Sequence, residues 1–240
     1  MNSVIKQFQQ AIKKAGSAER AKTYQWFFKT GKGEYGEGDL FYGITVPVQR
    51  KIAKHFYLDL TLADLAKTLQ SKYHEDRFTT LEALVMKFDR AKAQQDDKAQ
   101  KAIYDLYLKS TKYVNNWDLV DTSAEYIVGA YLQNKSRAIL KKLAKSKSLW
   151  ERRIAMIACF HFIRQKDFKD ALQIAEVLLK DKHDLIHKAV GWMLREIGNR
   201  DLKTELKFLD KYALQMSRTT LRYAIERFPE KLRLKYLKLK

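Results

Sequence analysis

The chain has 240 residues, 46% of them hydrophobic, and carries 47 basic against 28 acidic residues for a net charge of +19. The hydrophobic content excludes a mainly disordered chain, and the length allows one large domain or an extended repeat array. The longest apolar runs fall well short of the roughly 18 residues that a membrane span needs, and Met1 to Gln10 lacks a secretory apolar core. We therefore expect a cytoplasmic protein.

The charge and the cysteine content narrow the function further. The basic residues are spread along many segments, which favours nucleic acid over a membrane surface as the polyanionic partner. Cys159 is the only cysteine, so the chain has no intrachain disulfide and no thiolate-rich metal site. Redox chemistry is not expected.

The first 29 residues predict two short helices. Val4, Phe8 and Ile12 recur at helical spacing, as do Tyr24, Phe27 and Phe28. The pattern is interrupted near Gly16, where Ser17 is placed to cap the second helix.

Five of the nine glycines fall between Gly31 and Gly43, which predicts the main irregular segment. Residues 31–36 spell the GxGxxG dinucleotide pattern. That fingerprint needs a strand before it and a helix after it, but helical sequence precedes it here and strands do not alternate with helices in the chain. The match is read as accidental.

After Pro47, amphipathic segments return at intervals of about 31 to 39 residues, as in helical repeat proteins. These segments start near Arg77, Asn116, Glu151, His187 and Arg218. Partner helices are expected between them, at Asp97 to Leu108, Ser136 to Ala144, Asp170 to Leu179 and Lys203 to Tyr212. The pattern predicts an all-α fold, an α-solenoid of HEAT-like helical hairpins with a concave basic face, as one domain over residues 1–240.

Helical phase separates core positions from presented ones between Ile186 and Ile197. The expected buried stripe consists of Ile186, Ala189, Val190, Met193, Leu194 and Ile197. Lys188, Trp192 and Arg195 fall on the opposite side, which favours a binding surface over packing of Trp192 against a neighbouring hairpin.

A second helix is expected from Trp150 to Arg164. Its core side carries Trp150, Ile154, Ile157, Ala158 and His161, and its flank carries Arg153, Phe160 and Arg164. Arg153 on that flank is a phosphate contact, a solvated arginine or a member of a structural ion pair.

Residues 113–123 predict the start of another helix. Asn115 or Asn116 is a candidate N-cap, and Asp118 in the first turn complements the helix dipole. The buried stripe is Val120, Ala124, Ile127, Val128 and Tyr131. Trp117 is nearly in line with it, and Asp121 lies on its border, where a structural and a functional role are equally consistent with the pattern.

Two other pairs of residues are disfavoured as sites. His183 and His187 have the i, i+4 spacing of a helical metal pair, but flanking lysines oppose a dication and a third ligand is not evident. Cys159 and His161 point to different sides of a helix, which argues against a nucleophile and base.

Five stretches together resemble the AlkD-type DNA alkylation-repair glycosylases, which are built from HEAT-like repeats. These stretches are Gly36 to Ile44 followed by Pro47, Asn116 to Asp121, Trp150 to Ala155, Lys188 to Glu196 and Arg218 to Ala224. The likeness covers most of the chain.

The resemblance implies base excision repair, in which cationic alkylpurines such as 3-methyladenine and 7-methylguanine are hydrolysed from duplex DNA without flipping of the base. It places the catalytic carboxylate at Asp121, the lesion-contacting tryptophans at Trp117 and Trp192, and a DNA-backbone contact at Arg153. We add Lys188, Arg195 and Arg222 as further backbone contacts. All of these groups are expected to converge on the lesion.

The resemblance implies neither a metal nor an organic cofactor, and we expect a monomer that associates with the nucleoid when bound to DNA. Two alternatives remain open. One is a HEAT-repeat binder of damaged or branched DNA that excises nothing, and the other is a protein-interaction scaffold, the usual role of helical repeats.

Overall fold

The computed structural model describes residues 3–239, and helices dominate it. The all-α expectation is confirmed, since the described residues contain no strand and one isolated bridge, between Leu40 and Tyr73. No helix within residues 3–239 is long and apolar enough to cross a membrane. The chain divides into two compact units, one ending at Ile127 and one beginning at Val128. That the units form one domain stays a prediction.

Over its described residues, 3–127, the first unit contains seven α-helices and a short 3-10 helix at Thr111–Tyr113. The α-helices are α1 (Ser3–Lys14), α2 (Ala18–Phe27), α3 (Val46–Phe56), α4 (Leu62–Thr68), α5 (His74–Ala93), α6 (Asp97–Lys109) and α7 (Trp117–Asp121). As predicted, Ser17 caps α2, since its side chain accepts a hydrogen bond from the backbone N–H of Arg20.

Helix α5 forms the centre of this unit. It packs against α1, α3, α4, α6 and α7. Its side chains Phe78, Leu81, Leu84 and Phe88 are buried, as expected for a helix with neighbours on most of its sides. The N-terminal end of α5 is buried as well, among the other helices of this unit.

The glycine-rich segment is fastened to that end of α5. The carboxylate of Glu75 accepts hydrogen bonds from the backbone N–H groups of Tyr42, Gly43 and Ile44 at 2.9, 2.7 and 3.1 Å. Gly43 has a φ of +81°, and a Cβ there would lie 2.2 Å from the carbonyl oxygen of Ser17, so glycine is required. The segment follows a helix and precedes a helix, an arrangement that lacks the strand of a dinucleotide fingerprint.

In the part of the second unit that the structure describes, residues 128–239, there are eight α-helices and a 3-10 helix at Ile225–Arg227. The α-helices are α8 (Ala138–Ala144), α9 (Leu149–Ala158), α10 (Phe160–Arg164), α11 (Lys169–Leu178), α12 (Asp184–Gly198), α13 (Leu202–Tyr212), α14 (Arg218–Ala224) and α15 (Glu230–Leu237). The helix positions expected from the repeat pattern agree with these bounds to within a few residues.

Helix α12 is the centre of the second unit and contacts α9, α10, α11, α13 and α14. All six residues of its expected stripe, from Ile186 to Ile197, are buried, so that prediction is confirmed. Gly191 allows α14 to approach closely, because a Cβ there would lie 2.5 Å from the carbonyl oxygen of Thr220. Lys188, Trp192 and Arg195 lie outside the buried stripe of α12 and are half-buried.

Two expected helices are interrupted. The segment Trp150 to Arg164 forms α9 and α10, with the break at Cys159. After α7 the chain passes through a π-helix at Glu125–Gly129, and Leu132 rather than Tyr131 is buried below it. A π-turn holds one residue more than an α-turn, which accounts for the shift of the buried stripe by one position.

A buried carboxyl group lies between α12 and α13. Glu205 is 1% exposed, and its Oε2 lies 1.6 Å from the position of a Cβ on Gly198, so only glycine fits beneath it. Its Oε1 has no hydrogen-bond partner among the described residues. Burial raises the pKa of Glu205 to about 8, although the charge of Arg195 acts in the opposite direction.

We expect Glu205→Gln to stabilise the protein at alkaline pH. Because the folded-state pKa exceeds the ordinary value of 4.5, stability falls as pH rises from 4.5 to about 8, and a neutral amide avoids this loss. The gain in unfolding free energy is expected to be about 1–3 kcal/mol above pH 8 and near zero at about pH 5. Urea unfolding at both pH values measures it. Glu176→Gln, at an exposed position of α11, is the matched control, and a destabilised Glu205→Gln at both pH values would contradict the prediction.

Candidate active site

Helix α7 carries the two site residues predicted for the first unit. Asn116 caps it by accepting a hydrogen bond from the backbone N–H of Trp117 at 2.8 Å, which selects Asn116 from the two candidate caps. Val120 is fully buried, whereas Trp117 and Asp121 are half-buried. Asp121 therefore lies at the border of the apolar stripe, as its helical phase predicts, whereas Trp117, nearly in line with the stripe by phase, is less buried than that phase predicts.

Asp118 ties α7 to α5 through a buried histidine. His74, 2% exposed, has its Nε2 2.8 Å from Oδ2 of Asp118 and its Nδ1 3.3 Å from Oδ2 of Asp39. Arg77 pairs with the same Asp39 oxygen at 2.7 Å. Burial opposes protonation of His74, but the charge and hydrogen bond of Asp118 and the hydrogen bond of Asp39 raise its pKa to about 9. His74 is thus an imidazolium at neutral pH.

A stack of rings supports Trp117 from the side of α2. Its ring lies parallel to Phe28 at 5.5 Å and meets Phe27 edge-on at 6.0 Å. Phe28 is in turn 5.1 Å from Phe41 and 4.8 Å from the His74 ring. Offset and edge-on pairs of this kind are favourable beyond the area that they bury. The orientation of Trp117 is therefore fixed by aromatic neighbours rather than by α7 alone.

These rings line a recess of about 290 Å³. Tyr24, Phe27, Phe28 and Trp117 supply aromatic surface, and His74 and Asp118 supply the charged part. Aromatic faces and a carboxylate attract flat and cationic groups. Trp117 therefore stands at an aromatic recess, although the sequence alone suggested core.

The surroundings of Asp121 include a buried tyrosine. Tyr107 is fully buried, and its hydroxyl lies 3.0 Å from Oγ of Ser123. Burial raises the pKa of Tyr107, and the charge of Asp121 raises it further. The neighbouring Thr122 donates a hydrogen bond of 2.5 Å to Oε1 of Glu82. The end of α7 is thus held on α5 while Asp121 keeps a partly exposed position.

The second unit presents the predicted face of α12. Lys188, Trp192 and Arg195 are each half-buried, in contrast to the buried stripe behind them. Trp192 meets Phe160 edge-on at 5.7 Å. The guanidinium groups of Arg164 and Arg200 lie 4.3 and 5.6 Å from the centre of the Phe160 ring. Aromatic and cationic groups therefore alternate on this side of the unit, as the sequence predicts.

Most cations of this face have acidic neighbours. Lys188 pairs with Asp184 at 2.7 Å, one helical turn away, and Arg195 pairs with Glu226. Both acids are exposed, with side chains 55% and 53% accessible. Exposed ion pairs are weak and exchange readily, so these cations remain available to a stronger anion. Arg222 is itself exposed.

Arg153 lies deeper than its predicted position on a flank with Phe160 and Arg164. It is 5% exposed, and its Nη1 donates a hydrogen bond of 2.5 Å to the carbonyl oxygen of Leu185 at the start of α12. Phe160 is buried as well, whereas Arg164 is exposed. The break at Cys159 changes the helical phase after that residue. Arg153 thus links α9 to the helix that carries Trp192.

The histidine pair and the cysteine have local structural contacts. Nδ1 of His183 accepts a hydrogen bond from the backbone N–H of Leu185, and Nε2 of His187 lies 2.5 Å from the carbonyl oxygen of Asp181. No group of three or more His, Cys, Asp or Glu able to hold a metal occurs within residues 3–239. Cys159 is buried, which raises its thiol pKa and leaves it unsuited to nucleophilic attack.

Sequence reasoning missed the residues around Trp117. His74 and Asp39 lie 44 and 35 residues from their partners Asp118 and His74, and no local spacing connects them. A weak signal was present at the end of α2, where the adjacent Phe27 and Phe28 would point about 100° apart in a helix, so the pattern leaves open which of them is buried. The structure resolves that ambiguity, because Phe28 is buried and Phe27 is exposed.

Comparisons with known proteins identify the fold and the family of the chain. A solved structure described as "Predicted DNA alkylation repair enzyme from Enterococcus faecalis" matches with a TM-score of 0.67 and 14% identity, over 90% of this chain and 97% of that one. This likeness is one of fold. No curated protein matched the chain. The family model described as "DNA alkylation repair enzyme" matches residues 8–228, and the chain therefore belongs to the DNA alkylation repair enzyme family.

Proposed function

We propose that this protein is a DNA glycosylase that hydrolyses the N-glycosidic bond of cationic alkylpurines, of the 3-methyladenine and 7-methylguanine type, in duplex DNA. The observation that carries the proposal is that Asp121 and Trp117 lie on the same short helix, α7, and that Trp117 lines an aromatic recess. Family membership and the net charge of +19 support DNA as the substrate.

The chemistry needs few groups because the substrate is already activated. An alkylated purine carries a positive charge, so the C1′–N bond can break with its electron pair going to the base, which leaves as a neutral molecule without a general acid. The sugar becomes an oxocarbenium ion, which the carboxylate of Asp121 stabilises electrostatically. Water then adds to C1′ and releases its proton, with Asp121 orienting the water. No cofactor is invoked.

Trp117 has a separate role in recognition. The electron-rich face of an indole attracts a cationic nucleotide and its polarised C–H groups more than a neutral one. Phe28 and Phe27 fix the ring, so little side-chain entropy is lost when it meets the substrate. We assign Trp117 to discrimination between alkylated and normal purines.

On the second unit we assign Trp192 to the lesion as well, and Lys188, Arg195 and Arg222 to the DNA backbone. Arg153 is assigned to the backbone together with its observed hydrogen bond to Leu185. A phosphate competes with the exposed carboxylates of Asp184 and Glu226 for Lys188 and Arg195, and each contact that forms releases counterions.

The purified protein is expected to release free 3-methyladenine or 7-methylguanine from methylated duplex DNA, and to bind duplex DNA with an affinity that falls steeply with salt. Phosphate contacts give a linear fall of the logarithm of the affinity with the logarithm of the salt concentration. Chromatography of released bases and fluorescence anisotropy at several salt concentrations measure the two effects.

The outcome separates the proposal from its rivals. Salt-dependent binding without release of any alkylated base would assign the protein to DNA binding without excision. Neither release nor DNA binding would point to a protein-interaction scaffold. Unmethylated DNA of the same sequence is the control for spontaneous base loss.

A further inference from the structure

Two large aromatic side chains at the C-terminal end of α2 face solvent. Trp26 is 73% exposed and Phe27 is 50% exposed, and α2 contributes no buried residue. Burying a large apolar side chain stabilises a folded protein, and α2 forgoes this at two adjacent positions. We call Trp26 and Phe27 the aromatic edge. Exposed apolar surface of this kind indicates a binding function.

The charge around the aromatic edge favours a polyanion as its partner. Nζ of Lys29 lies 5.4 Å from the centre of the Trp26 ring, and Lys22 and Lys32 are exposed nearby in the chain. The acidic side chains of the following loop are engaged locally, since Glu34 accepts a hydrogen bond from the backbone N–H of Gly31 at 2.8 Å. Aromatic rings among cations are the usual means of binding unpaired nucleic acid.

The aromatic edge is continuous with the candidate active site. Phe27 meets Trp117 edge-on at 6.0 Å and lines the same recess. The polar groups of that recess are already engaged, as Glu75 accepts three backbone N–H groups and His74 is held between two carboxylates. The surface thus offers ring faces rather than free hydrogen-bonding groups, which suits stacking independent of base identity.

We propose that the aromatic edge stacks on a nucleobase that has lost its stacking partner beside the lesion. The proposal rests on the proposed function, because the occupant belongs to the DNA bound at Trp117. In an intact duplex every base is covered by its neighbours, whereas a base next to a gap offers a free face. The edge therefore selects duplexes with a disrupted stack, including the abasic product of excision.

Equilibrium binding to two duplexes of one sequence tests this, one intact and one with a stable abasic analogue. The substitution Trp26→Ala, which leaves the contact between Phe27 and Trp117 intact, is expected to weaken binding of the abasic duplex about tenfold and of the intact duplex little. The slope of log affinity against log salt should stay unchanged, because no phosphate contact is lost. Trp26 is 73% exposed, and circular dichroism checks the fold.

The control is Lys22→Gln with Lys32→Gln, which should weaken both duplexes alike and reduce the salt slope if those lysines meet phosphate. An unchanged affinity of the aromatic variant for the abasic duplex would overturn the proposal, as would an equal loss on both duplexes. The measurement needs no base release. A selective loss in a protein that excises nothing would therefore support the stacking role while the glycosylase proposal failed.

Discussion

Asp121→Asn is expected to reduce alkylpurine release by at least about a hundredfold and to leave DNA affinity within a few-fold of wild type. Asparagine keeps the size of the side chain but removes the negative charge that stabilises the oxocarbenium ion. Loss of one well-placed electrostatic group in other enzymes costs about 10²–10³ in rate. Single-turnover release of 7-methylguanine from methylated duplex, with enzyme in excess, measures the chemical step.

The matched control for this variant is Asp105→Asn. Asp105 is a half-buried aspartate on α6 whose side chain is 40% accessible and pairs with Lys101 at 2.6 Å, and its loss should leave release unchanged. Retained wild-type release by Asp121→Asn would remove Asp121 from the catalytic role. Parallel loss of release and of folded structure would instead assign Asp121 to stability, which thermal unfolding of the same preparation distinguishes.

Asp118→Asn is expected to lower the unfolding free energy by about 2–4 kcal/mol near pH 7, because it leaves the buried His74 imidazolium with one carboxylate fewer. The effect depends on pH. The folded-state pKa of His74 is raised above its ordinary value of 6.5, so its contribution is complete below 6.5 and is lost as pH rises through about 9. The difference between wild type and variant should shrink accordingly.

Urea unfolding at about pH 6 and about pH 9.5 measures this difference. Asp184→Asn is the control, since Asp184 also lies in the first turn of a helix and pairs with a cation, but its side chain is 55% exposed. Its substitution should cost at most about 1 kcal/mol. An equal, pH-independent cost for both variants would show that His74 is not charged in the folded protein.

The sequence predicts the helices of this protein well because their signals are local. Spacing of apolar residues located α12 and its buried stripe, and the cap residues located the starts of α2 and α7. The border position of Asp121 followed from the same rule, whereas Trp117, nearly in line with the stripe by phase, is less buried than the rule predicts.

The site was harder to predict from the sequence, because the residues that contact one another there are far apart along the chain. His74 meets Asp118 across 44 residues, and Phe28 reaches Trp117 from another helix. The depth of Arg153 could not be read from phase, because α9 is buried on most of its sides and the partner of Arg153, the carbonyl oxygen of Leu185, lies 32 residues away. A catalytic role for Asp121 came from resemblance and stays a prediction.

The π-helix at Glu125–Gly129 sets how this part of the chain tolerates changes in length. A π-turn corresponds to one inserted residue within an α-helix. Deleting one residue there would restore an α-helix in which Leu132 takes the phase predicted for Tyr131 and stays buried. The irregular stretch between α5 and α6 carries exposed residues at 94–97 and imposes no helical register. A deletion of one residue in the π-helix or in that loop therefore keeps the buried side chains in place, whereas the same deletion within α7 would turn the following side chains by about 100° and is comparable to a core substitution.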